Sequence, residues 1–275
     1  MTKSRIFLFL FVVGTTVLLY MLPRYVVNNT ADEVGGEATA TPGGAAQGDQ
    51  HDHEFEIPEA LKAKISEFYD SFKNAENQEK RLIFADSLAK AYKSVGKLDS
   101  LAKYTEVKAI EIPTSANFLE TGDRYYEAFN FAVEPTKRNL MAQKSQEYYQ
   151  RVLDEDATLL DVKAKLAMTY VTGSNPMQGI MMLREVLDQE PNNELAIYNL
   201  GMLAITSGQY ERAIERFEKL STLDPENPEA YFYHGYCLFE LGRTAEAKPL
   251  FEKVLALGID GELALASEDY LKRIN

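Results

Sequence analysis

From Glu194 to Asn227, apolar residues fall at three-and-four spacing in two runs: Ile197, Leu200 and Ala204 share one side of the first, and Ala213, Phe217 and Leu220 one side of the second. Glu and Arg occupy the remaining face of the second run. That period is the alpha-helical one, so the stretch predicts two amphipathic helices. Ser207-Gly208 breaks the first. Asp224-Pro225 stops the second, because the residue before a proline disfavours helical geometry and proline has no N–H to donate. The unit then recurs. Pro191 and Pro225 are 34 residues apart, as are Gly201 and Gly235, Gly208 and Gly242, Ala213 and Ala247, and Leu183, Phe217 and Phe251. A fixed period of this length predicts stacked helix pairs, none of which buries its apolar face alone. Residues 158–261 therefore read as three repeats of a solenoid.

The same periodicity runs less regularly through residues 57–157. Ile57-Pro58 opens a helix striped by Leu61, Ile65, Phe68 and Phe72, with the proline expected in the first turn. A second helix, from about Gln78 to Val95, carries Leu82, Ala85, Leu88, Ala89 and Tyr92, and Gly96-Lys97 turns into a third that ends before Pro113. Ser115 to Asp156 predicts a longer pair. There, 23 residues separate Gly122 from Ser145 where the repeat expects 12, so 11 extra residues lengthen both helices around Glu134-Pro135. The extension is either simply tolerated or a distinctive partner contact. Within the final segment, 262–275, Leu263, Ala266 and Tyr270 share one side of a helix from Glu262 to Ile274, which predicts a cap for the stack.

These positions resemble the tetratricopeptide repeat (TPR). The middle copy places Ile197, Leu200, Gly201, Gly208, Ala213, Phe217, Leu220 and Pro225 at the family's positions 4, 7, 8, 15, 20, 24, 27 and 32. The next copy supplies Tyr231, Gly235, Gly242, Ala247, Phe251 and Val254, with His234 in the Leu slot and Ile259 in place of the proline. The preceding copy supplies Leu166, Ala167, Tyr170, Gly179, Leu183, Val186 and Pro191. Leu88, Gly96 and Pro113 fit the frame in the front half, whereas Leu101, Thr105 and Lys108 depart from it.

The resemblance implies an all-α, right-handed α-solenoid of antiparallel hairpins whose concave face binds protein segments. In the family, positions 5, 9 and 12 of each first helix tend to line that face. Here they are Ala164, Met168 and Val171, then Tyr198, Met202 and Ile205, then Phe232, Tyr236 and Phe239. This candidate groove is apolar and suits an apolar helix or extended segment, since Met adapts its shape and aromatics bury large areas. The alternative is that these residues pack within the superhelix or are covered by the helix at 57–73. The TPR subclass that grips a terminal carboxylate uses basic groups at positions 2 and 6 of its third repeat. Glu229 and Tyr233 stand there, so Lys165 and Asn199 alone do not predict a clamp.

Composition changes the picture at the other end. Residues 6–22 carry no charge and reach the lower end of the span that crosses a bilayer, so we expect a single transmembrane signal anchor behind a cytoplasmic tail of residues 1–5. A cleaved signal peptide with Ala38-Thr39-Ala40 as its site is the alternative. Lys3 and Arg5 precede the segment and acidic Asp32, Glu33 and Glu37 follow, which places the repeats outside the cytosol. In a bacterium this is the inner membrane, with the C-terminal domain in the periplasm. Residues 23–56, rich in Gly, Ala, Thr and acids, read as a disordered linker. Its His51-Asp52-His53 has ligand chemistry but no fourth ligand, so neither metal nor cofactor is expected.

The chain holds 29 basic and 42 acidic side chains, a net charge of −13, which argues against nucleic acid and anionic lipid as partners. Cys237 is the only cysteine and forms no internal disulfide; like His234, it reads as a core residue. No phosphate-cradling glycine loop, HExxH or GxSxG occurs, so neither an enzyme nor a small-molecule substrate is expected. The expected function is a membrane-anchored adaptor for envelope or exported proteins, with a holdase-type chaperone as the alternative. Homo-oligomerisation stays open.

Overall fold

The computed structural model describes residues 57–173 and 175–274. The expected anchor at 6–22, the linker at 23–56 and its His51-Asp52-His53 lie outside the described residues. Among those described, no helix is long and apolar enough to cross a membrane.

The described residues form twelve helices and no strand. They are α1 (Glu59–Lys73), α2 (Gln78–Lys93), α3 (Leu98–Glu111), α4 (Ser115–Phe131), α5 (Pro135–Glu155), α6 (Leu160–Val171), α7 (Pro176–Gln189), α8 (Glu194–Thr206), α9 (Tyr210–Leu223), α10 (Pro228–Glu240), α11 (Thr244–Ala256) and α12 (Glu262–Ile274). Five hairpins, from α2–α3 to α10–α11, stand in sequence between α1 and α12, and each helix packs on its neighbours in the chain. The result is an all-α solenoid.

The repeat is written at the turns. Gly96, Gly208 and Gly242 adopt φ of 66°, 69° and 73°, the left-handed region a side chain resists. Each allows the residue after it to reach back: Gln209 N–H donates to Ala204 O at 2.8 Å, Arg243 N–H to Leu238 O at 2.8 Å, and Lys97 N–H to Tyr92 O at 3.1 Å. These close three Schellman motifs that satisfy carbonyls at the helix ends. At the opposite ends, Asn193 and Asn227 accept from Ala196 N–H at 2.9 Å and Ala230 N–H at 3.1 Å, capping α8 and α10. Pro58 differs from expectation: it is extended, with ψ 138°, and stands before α1 rather than inside its first turn.

Within a hairpin, a small residue on the first helix receives a large one from the second. A Cβ on Gly201 would stand 2.7 Å from Phe217 Cζ, one on Gly235 would stand 3.2 Å from Phe251, and one on Gly122 would stand 2.7 Å from Tyr149. Phe217, Phe251 and Tyr149 are fully buried. Glycine thus trades about 1 kcal/mol of helix propensity for close approach. The α6–α7 hairpin inverts the device: Gly179 sits on the second helix, where a Cβ would meet Ala167 O at 2.4 Å.

Hairpin α4–α5 is the long one, at 17 and 21 residues against 12 to 14 in the hairpins that follow. Glu134 caps α5 by accepting from Thr136 N–H and Lys137 N–H, both at 2.7 Å, and Pro135 begins the helix. The extra residues carry Phe131 and Val133, each 73% exposed, at the tip.

Candidate functional site

The nine residues expected to line one face fall into three groups. Ala164 is fully buried against the cluster of Ala167, Leu183 and Val186, so it supplies spacing rather than surface. Phe232, Tyr236 and Phe239 on α10 are covered by α12. Tyr270 lies 6.0 Å from Phe232, 6.0 Å from Tyr236 and 5.0 Å from Phe239, ring centre to ring centre, and stacks on Phe251 at 5.0 Å. The Arg273 guanidinium lies 4.7 Å from the Phe239 ring centre. Helix α1 covers none of the row; its Ile65, Phe68 and Phe72 pack with Leu88, Leu101 and Tyr104 at the other end of the stack.

The half-buried remainder is Met168 and Val171 on α6 with Tyr198, Met202 and Ile205 on α8. Met168 rests on the Ala164 cluster, and Tyr198, Met202 and Ile205 rest on the cluster built around Ile197 and Phe217. Val171 turns toward its own hairpin, its Cγ2 2.6 Å from where a Gly179 Cβ would stand. Tyr198 stands edge-on to Phe217 at 6.1 Å and to Tyr233 at 6.0 Å. Burial, then the charge of Glu229, pushes the Tyr198 phenol up, so it stays protonated and offers a donor. Beside it, Asn199 is 7% exposed and its Nδ2 has no hydrogen-bond partner among the described residues. An unpaired buried donor costs about 1–3 kcal/mol.

Two of the clamp positions are otherwise engaged. Lys165 Nζ donates to Asp123 Oδ1 at 2.8 Å, and Tyr149 Oη donates to the same oxygen at 2.7 Å. Tyr233 packs against Phe217 at 5.3 Å and Phe232 at 5.3 Å. Sequence reasoning missed Asp123, although its place is legible: it follows Gly122 at position 8, and so takes position 9 of its first helix. A second carboxylate was also missed. Glu106 accepts from Tyr125 Oη at 2.7 Å, Tyr148 Oη at 2.9 Å and Lys144 Nζ at 2.9 Å.

The remaining polar candidates have structural roles. Cys237 is fully buried and burial pushes its thiol up to about 12, so no thiolate nucleophile forms near neutrality. Burial likewise holds the His234 imidazole below its ordinary range, against the opposing charge of Glu218. Among the described residues there is no group of three or more His, Cys, Asp or Glu that could hold a metal ion.

Residues 198–262 match the family model described as Tetratricopeptide repeat. Among curated proteins, photosystem I assembly protein Ycf3 of Rippkaea orientalis is 30% identical over 130 residues, covering 41% of this chain and 75% of that protein. Type IV pilus assembly protein PilF of Pseudomonas aeruginosa is 28% identical over 109 residues, covering 39% of this chain and 43% of that one. The chain spans from 12% to 75% of the length of the curated relatives it matches. Among solved structures, MamA from Desulfovibrio magneticus RS-1 is 17% identical, with a TM-score of 0.47 over 64% of this chain and 94% of that one.

Proposed function

Since this chain belongs to the tetratricopeptide-repeat family, we propose that it is a non-enzymatic adaptor whose open row, Met168, Tyr198, Met202 and Ile205, grips an apolar segment of another protein. The observation that carries this reading is intramolecular. Helix α12 lays Tyr270 onto Phe232, Tyr236 and Phe239, the same positions of α10 that Tyr198, Met202 and Ile205 hold on α8. That packing supports an apolar helix face with one aromatic anchor as the kind of segment such a row accepts. Helix-in-groove recognition has this chemistry.

In the same reading, residues 6–22 anchor the chain in a bacterial inner membrane, residues 23–56 tether it, and the two helical segments, 57–157 and 158–261 with their cap, lie in the periplasm. The partner is then an envelope or exported protein. The names of two relatives denote assembly, of photosystem I in one and of the type IV pilus in the other, which supports a role in holding components of a larger structure. The second reading, a holdase-type chaperone, draws on Met168 and Met202, whose unbranched side chains reshape to fit differing segments.

A photoreactive residue at Met202, in the full-length chain in its native membrane, tests both. One dominant crosslinked protein is the adaptor outcome, many exported chains the chaperone outcome, and no adduct overturns the open row as a binding face. Met202→Glu then weakens capture at least tenfold, because seating a carboxylate against an apolar partner costs more than the ~1.4 kcal/mol a tenfold change represents.

A further inference from the structure

Between α7, α8 and α9 lies a notch of about 120 Å³ lined by Arg184, Arg212 and Arg216 over an apolar floor that includes Ile180, Leu200 and Leu203. The other arginines of this acidic chain show how unusual it is. Nine arginines are described. Five pair with carboxylates: Arg81 with Glu111, Arg124 with Glu127, Arg151 with Glu147, Arg243 with Glu246 and Arg273 with Asp269. Arg138 lies over the Phe129 ring, 5.2 Å from its centre. The other three all face the notch, and none has an ion pair among the described residues. Arg212 donates only to the neutral Gln209 side chain.

Their mutual repulsion is expressed at the half-buried Arg216, whose affinity for its proton is lowered by burial, then by the charge of Arg184, opposed by Glu215 and reinforced by Arg212. With 42 acidic side chains in the sequence, a counter-charge within the fold was available, and no ion pair supplies it. Gln209, the residue at the N-terminal cap of α9, also lines the notch, so the positive end of that helix adds to the field.

We propose that Arg184, Arg212 and Arg216 form an oxyanion site, and that its ligand is a phosphate group. Three guanidinium forks offer more donors than a single carboxylate can accept, whereas a phosphate dianion presents oxygens to all three and offsets most of their charge. The volume suits one such group rather than a nucleotide. The site does not rest on the apolar row. On α8, Leu200 and Leu203 point away from the side that carries Tyr198, Met202 and Ile205, as helical periodicity requires.

Calorimetric titration of the full-length chain in detergent micelles with inorganic phosphate, at ionic strength held constant with chloride, tests the site. Saturable binding is expected in the wild type, at least fivefold weaker in Arg184→Gln and Arg212→Gln, and lost in the triple variant, with circular dichroism verifying that each is folded. Free of phosphate, Arg216→Gln melts at a higher temperature than wild type, since a like charge has been removed. A phosphoserine peptide that binds tenfold more tightly than free phosphate places the group on a partner protein, whereas equal binding indicates the free ion; both uphold the site. A response that tracks ionic strength alone, or persists in the triple variant, overturns it.

Discussion

Glu106 holds three helices with one carboxylate. It sits on α3 and receives Tyr125 from α4 and both Tyr148 and Lys144 from α5, with its own side chain 14% exposed. Burial by itself would push the carboxyl up; the bonds from Lys144 and the two phenols outweigh it and hold the carboxyl below its ordinary range. The folded state therefore prefers the charged form. Its contribution is fully present above the unfolded pKa of about 4.3 and drains away as pH falls through the lower folded value. Glu106→Gln is expected to cost about 2 kcal/mol at pH 7 and to flatten the loss of stability below pH 4, measured by urea unfolding at pH 7 and pH 3.5. None of this was legible beforehand. The partners lie 19, 38 and 42 residues away, and Glu106 and Lys144 fall on no position that the repeat fixes. A pattern of apolar residues locates surfaces that must be covered; it does not say which polar side chains meet at a seam.

Among elements, hairpins were legible and their ends less so. Gly208 and Gly242 announced their turns because only glycine enters the left-handed region cheaply, and Gly201 announced a close approach that Phe217 fulfils. Lengthening around Glu134-Pro135 could be read from spacing alone. The division of the apolar row could not: α12 keeps the 34-residue period, beginning 34 residues after α10 as α10 does after α8, and an apolar pattern does not say whether a helix covers its neighbour's row or leaves it open. Tyr270 shows why that element matters: it touches Phe232, Tyr236, Phe239 and Phe251 together. Tyr270→Ala is expected to cost about 2–4 kcal/mol by cavity formation and to raise binding of an apolar dye as α10 is uncovered. Urea unfolding and dye fluorescence check the two effects.

For the whole molecule, a stack in which each unit touches its neighbours has a stability that varies along its length. Helix α1 buries no residue, whereas α5 fully buries Tyr149 and Val152, and α9 fully buries Phe217. Native-state hydrogen exchange should therefore show least protection across 59–73 and most in α5 and α9, fraying from the front; uniform protection would contradict a stack of this kind. The two ends nevertheless agree in what they resist. The outward side of α12 carries Glu262, Glu268, Asp269 and Lys272, all exposed, around the exposed Leu265, while its apolar side is already occupied by α10 and α11. A further helix stacked on α12 would have to cover these charges, and one stacked on α1 would meet the same obstacle, since the apolar side of α1 is also taken and its exposed side carries Glu59, Lys62, Glu67 and Asp70. Burying such charges without partners costs more than the added contact returns, so in-register stacking beyond either helix is disfavoured.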